Sequence, residues 1–273
     1  MARLHRGFTL LLPLLWAAAA PRAAAPDGPP ASTAGSVVAP SPEAARHVTR
    51  GKELHDAFDY AEAAREFEEA HRLAPDGFEA LEWLCHVYND LGHGASGSEA
   101  EAFYRKAADY AEALRRGHPH RAEGYFWVAA GYGNLALFKG GRDKVRLARD
   151  VEENAKKAIA LDPDYAPPYV ALGIFYREVA ELSWVLRAFA KMLYGGLPKG
   201  TREDSEEMLR RAVELDPTDV LARYQLGLTL LSRDRDEDAA GEFRAVLALP
   251  VAEAEDRKDQ ADARARLERL ERK

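Results

Sequence analysis

Ala158-Ile159-Ala160-Leu161-Asp162-Pro163, followed by Leu172-Gly173, decides the fold, because it recurs 54 residues later as Ala212-Val213-Glu214-Leu215-Asp216-Pro217, followed by Leu226-Gly227. Each copy reads as the end of one helix, a tight turn and the start of the next. Nearer the N-terminus Gly51 and Leu54 are answered by Cys85 and Tyr88 at an offset of 34, the period of the tetratricopeptide repeat. Such units bury their apolar faces only by stacking on neighbours, so the repeat fixes the architecture and points to partner binding rather than catalysis.

Working outward, the first unit places small or apolar residues at Ala44, Gly51, Leu54, Ala63, Phe67 and Ala70, with Tyr60 at the turn between its helices and Pro75 closing it. The second carries Leu81, Leu84, Cys85 and Tyr88, then a Gly-rich loop through Gly92, Gly94 and Gly97, then a long helix ending near Gly117 and Pro119. A third has an aromatic first helix from Tyr125 to Phe138 and ends at Pro163; a fourth runs from Tyr169 to Pro217 with an insertion of 20 residues; a fifth runs from Val220 to Pro250. The expected fold is all-α: a tetratricopeptide superhelix of about five hairpins over residues 42–250, one extra inserted helix, and a charged capping helix over 251–273.

The N-terminus reads as a secretory signal over residues 1–20. Arg3, His5 and Arg6 precede an apolar run from Phe8 to Ala20, too short to span a bilayer, and small residues follow for cleavage. Residues 21–41 form a Pro- and Ala-rich linker, and Ser41 before Pro42 suits a helix cap. The expected location is periplasmic or secreted, with a mitochondrial presequence as the alternative. Formal charge is −7, an acidic balance that argues against nucleic acid or anionic membranes as primary partners. The single cysteine, Cys85, permits no internal disulfide and reads as a buried small apolar residue.

No enzymatic constellation stands out, and neither a cofactor nor a metal is expected. Asp90 follows His86 by four residues on one helical face, but two ligands do not make a site, and Pro119 breaks the register of His118 and His120. Gly140-Gly141-Arg142 lacks the rest of a phosphate loop. Glu206 with Arg210 and Glu207 with Arg211 read as solvated pairs one turn apart. The usual docking side is the concave surface of the first helices, where Lys52, Glu82, His86, Asn89, Tyr132, Arg177 and Tyr224 are the candidates to project. The inserted segment from Arg177 to Tyr194 reads as one amphipathic helix, packed as extra core or lining a groove through Trp184, Arg187 and Phe189.

The run from Gly124 to Pro217, above all Ala180-Glu181-Leu182-Ser183-Trp184 followed by the turn Gly195-Gly196-Leu197-Pro198, resembles the regulator of microtubule dynamics proteins over roughly residues 45–250. The resemblance implies an all-helical tetratricopeptide-like fold without catalytic activity and, in animal members, association with microtubules. A looser resemblance, through the Leu-Asp-Pro hairpins and the Gly-Gly turn, is to the periplasmic T component of tripartite ATP-independent transporters. That one implies a ring-forming oligomer with an apolar ligand pore, although a lipoprotein cysteine is missing. The functional expectation is therefore an exported, non-catalytic scaffold binding a protein or peptide. The alternatives are an accessory protein for a small apolar ligand and a microtubule-associated regulator.

Overall fold

A computed structural model describes residues 41–196, 199–252 and 254–272; the expected signal segment lies outside them. Twelve α-helices make up the described chain, and no strand occurs among the described residues. They pair as α1 (Pro42–Asp56) with α2 (Tyr60–Leu73), α3 (Phe78–Gly94) with α4 (Gly97–Gly117), and α5 (Ala122–Leu135) with α6 (Gly141–Leu161). Next come α7 (Pro167–Glu181) with α9 (Arg202–Leu215), and α10 (Val220–Ser232) with α11 (Asp236–Ala248). The inserted α8 (Trp184–Tyr194) lies between α7 and α9 in sequence, and α12 (Ala254–Leu270) packs on α10 and α11 at the end of the stack. This is the all-α tetratricopeptide superhelix of five hairpins.

Local chemistry sets the helix starts. Ser41 accepts the Ala44 amide at 3.1 Å with Pro42 in the first turn, Asp219 accepts that of Ala222 at 2.9 Å, and Thr201 and Asp204 form a reciprocal capping box at α9. Each supplies an acceptor to amides that the first helical turn leaves unbonded. Within a hairpin the two helices touch through a small residue facing a large one. A Cβ built on Gly51 would lie 2.4 Å from the buried Phe67 ring, and one on Gly227 would lie 2.6 Å from Phe243. Glycine is required there for close approach, the same reason in the first repeat and the fifth. The apolar interior forms two clusters. One spans α1 to α4 around Phe67, Trp83 and Leu84, the other runs from α3 to α12 around Phe126, Trp127, Leu172, Leu209 and Phe243.

The helix layout departs from the sequence reading in three places. Gly92 and Gly94 belong to α3 rather than to a loop, since Gly92 lies against the Tyr104 ring, 2.4 Å from where its Cβ would be, and the helix runs on past that contact. The segment 177–194 is two helices, because Leu182 turns to extended backbone (φ −61°, ψ 134°) and the Ser183 carbonyl starts a new turn by accepting the Arg187 amide. Finally, α8 is not a core helix: Trp184 is 76% exposed.

Candidate functional site

Most of the expected concave-surface residues face inward. Glu82, His86, Asn89 and Arg177 are buried, as is Tyr224, while Lys52 and Tyr132 are half-buried. Contacts between neighbouring repeats account for this. Asn134 on α5 donates to Asn89 on α3 at 2.8 Å, and Asn89 in turn donates to the Cys85 carbonyl at 2.8 Å. Arg177 on α7 reaches α10, donating to the Gln225 side chain at 2.7 Å and to its carbonyl at 3.2 Å. Tyr132 donates to Glu112 at 2.7 Å, and burial together with that carboxylate pushes its phenol up to about 12. Lys52 pairs with Glu79 on α3. These polar side chains join one repeat to the next.

The last helix continues the closure. Tyr224 on α10 donates to Asp262 on α12, and the Arg257 guanidinium stands 4.9 Å from the ring centroid of Phe58, in the turn between α1 and α2. The end of the stack therefore reaches back to its beginning. Two acidic groups, the buried Glu82 and the half-buried Asp259, are disfavoured in their charged form. Burial, then Glu123, pushes the Glu82 carboxyl up to about 8, and burial, then Glu255, Asp256 and Asp262, does the same to Asp259. Desolvation penalises a carboxylate that lacks a close cation, so both hold their protons near neutral pH.

A second enclosed group joins α1 to α3. His55 Nε2 donates to Asp90 Oδ2 at 2.8 Å, His86 Nε2 lies 3.9 Å from the same oxygen, and all three side chains are buried. Sequence reasoning singled out His86 and Asp90 by their spacing of four; His55 comes from another helix and carries no spacing signal. The rings of Tyr60, Trp83 and Trp127 close around the two imidazoles at centroid distances of 5.0 to 5.4 Å. His118 instead meets the Asp76 carbonyl at 3.1 Å, away from this group.

Glu206 is the other correction. It is buried, not solvated, and takes Arg210 at 2.7 Å, Arg235 at 2.6 Å and Arg233 besides. Arg211 pairs with Glu214 and Asp164 rather than with Glu207. Burial raises the Glu206 carboxyl, but the three guanidiniums outweigh it and hold the group below its ordinary range.

What remains outward-facing and apolar is α8. Trp184, Met192, Leu193 and Val185 are 76%, 70%, 53% and 39% exposed. Val185 and Met192 stand two turns apart on one line of the helix, with Trp184 and Leu193 to either side, while Arg187 and Lys191 follow one another by a turn along the edge. Both cations are exposed. Phe189 belongs to α8, and its side chain lies outside the described residues. The helix packs on α6, its Ala190 is buried, and Arg149 of α6 donates to the Gly196 carbonyl at 2.8 Å. Gly195 and Gly196, at φ 78° and 98°, turn the chain away after it.

Against known proteins, the family model described as Regulator of microtubule dynamics protein 1-3 matches residues 48–271. The chain belongs to this family. Regulator of microtubule dynamics protein 1 of Bos taurus is 27% identical over 197 residues, covering 70% of this chain and 61% of that protein. The mouse protein of the same name is 27% identical over 214 residues, 75% and 70% of the two chains. Protein 3 of Xenopus laevis is 30% identical over 146 residues, 53% of this chain but 32% of that one. The match thus spans about three fifths of the bovine relative. Among solved structures, a thermophilic TPR protein of Thermus thermophilus superposes with a TM-score of 0.62 at 21% identity, over 83% of this chain and 98% of that one, which shows the fold.

Proposed function

We propose that this family member is a non-catalytic scaffold that binds a protein partner through α8 rather than through its concave surface. The observation that carries the reading is the exposed apolar surface of Trp184, Val185, Met192 and Leu193 on a helix that packs on α6. Exposed contiguous apolar surface on a folded chain marks an interaction site, and an amphipathic helix is a ready partner for another helical face. Charge favours an acidic partner. From Leu182 to Thr201 the sequence carries Arg187, Lys191 and Lys199 and no acidic residue, in a chain of net charge −7. The occupant is an acidic helix with an apolar face. Enzymatic chemistry has little to work with, since Glu82 is buried and Asp259 half-buried among other carboxylates.

The relatives' name supplies a second reading, regulation of microtubule dynamics, which the same local positive charge would serve at an acidic protein surface. Export to the periplasm or beyond rests on the sequence of residues 1–20. A direct test purifies the partner on the wild-type chain, identifies it, and measures its affinity for Trp184→Ala/Met192→Ala and for Lys52→Ala. The reading expects at least a tenfold loss in the first and none in the second, and the opposite order would return the site to the concave surface.

A further inference from the structure

We propose that His55, His86 and Asp90 form a metal site for one divalent ion of the zinc class, tying α1 to α3. The three donor atoms, one from each residue, all lie within 4.8 Å of one another. Zinc takes imidazole nitrogen at about 2.0–2.1 Å and carboxylate oxygen at about 2.0–2.2 Å in tetrahedral array, which asks for donors separated by about 3.4 Å. The two separations around Asp90 Oδ2, 2.8 Å to His55 and 3.9 Å to His86, bracket that figure. Small rotations of two imidazoles therefore bring all three donors onto one ion.

The surroundings fit an ion better than a simple hydrogen bond. A carboxylate that is buried and ionised is stabilised by a compensating positive charge, which a metal cation supplies. An ion between them engages both imidazoles and the carboxylate together. The donor set of two imidazoles and one carboxylate suits zinc and its first-row neighbours better than the softer Cu(I). Tyr60, Trp83 and Trp127 form the apolar shell that keeps bulk water off such a centre. The protein supplies three ligands and a water completes the fourth position. Because α1 belongs to the first repeat and α3 to the second, the ion is a staple between the first two repeats.

The test uses the full chain, purified without a polyhistidine tag, stripped with chelator under denaturing conditions and refolded with Co²⁺ or Zn²⁺, since a buried site fills most readily during folding. We expect one Co²⁺ per chain with the visible absorption of a four-coordinate ion, displaced by Zn²⁺, and a higher melting temperature for the loaded protein. His86→Gln and Asp90→Asn should each weaken binding by more than about a hundredfold, because losing even an outer partner of a ligand costs about 10–100-fold. His118→Gln/His120→Gln should bind as wild type. Circular dichroism of each refolded variant checks the fold, and His55→Gln gives an independent third ligand variant should either of the others fail to refold. A folded wild type that retains no more metal than Asp90→Asn, or one whose bound ion follows His118 and His120, overturns the site and leaves a His55–Asp90 ion pair in its place.

Discussion

Replacing Glu82 with Gln should stabilise the protein, and by an amount that depends on pH. Glu82 is buried on α3 and its carboxyl is pushed up to about 8 from an ordinary value of 4.5. A folded-state pKa raised above the unfolded one means that the folded chain binds more protons between those values, so Glu82 makes stability fall as pH rises from 4.5 toward 8. Each unit of pH in that window removes about 1.36 kcal/mol. At pH 7, two and a half units above the unfolded value, the accumulated cost is about 3 kcal/mol. Gln keeps the shape of the neutral carboxyl and cannot ionise. The difference in unfolding free energy between Glu82→Gln and wild type should therefore be small at pH 4, grow steadily to about 3 kcal/mol at pH 7, and level off above pH 8. Urea titrations at half-unit pH steps measure it, with secondary structure and tryptophan emission as two probes of one transition. A difference that stays flat from pH 4 to 8 would refute the reasoning, because it would mean that the carboxyl reaches water when charged.

Other perturbations separate parts of the account. Trp184→Ala should change stability by less than about 0.5 kcal/mol, as exposed surface substitutions do, whereas a loss of about 3–5 kcal/mol, the figure for a core tryptophan, would put α8 back in the interior. Gly227→Ala should destabilise by about 1–3 kcal/mol as its methyl drives into Phe243, less the roughly 0.5–1 kcal/mol that alanine adds to a helix; thermal melts decide the sign. Glu206→Gln removes the one carboxylate shared by three arginines. Since those arginines are partly exposed, a loss of about 1–3 kcal/mol is expected at pH 7 rather than the full cost of breaking a buried pair. Glu206 is held below its ordinary value, so its contribution is present above pH 4.5 and disappears as acid titrates the folded carboxylate. A Glu206→Gln difference that persists unchanged at pH 2 would show that packing, not charge, carries it.

The fold was legible because repeat stacking writes itself into small and large residues at fixed offsets. Gly51 opposite Phe67 and Gly227 opposite Phe243 follow from helices that must touch, and the Leu-Asp-Pro turns fix where each hairpin ends. The second repeat misled at Gly92, where glycine signals a close approach as readily as a loop, and only the position of the Tyr104 ring distinguishes the two. Burial of the concave residues was not legible from spacing. Whether Arg177 points out or reaches Gln225 depends on how far one repeat rotates over the next, and a periodic pattern carries no record of that angle. His55 was missed for the same reason: its partners on α3 are brought near by hairpin stacking across 35 residues of chain. In the inserted segment the apolar spacing does not show the break at Leu182, and amphipathicity alone does not say whether the apolar side meets the protein's own core or a partner.

The most direct test of α8 as the docking element is a photo-reactive phenylalanine placed at Met192 in one chain and at Lys52 in another, each irradiated in the native host. Crosslinks to one discrete protein through position 192 and none through position 52 are the predicted result. Adducts formed through position 52 alone would contradict the account and move the partner to the inner face of the superhelix.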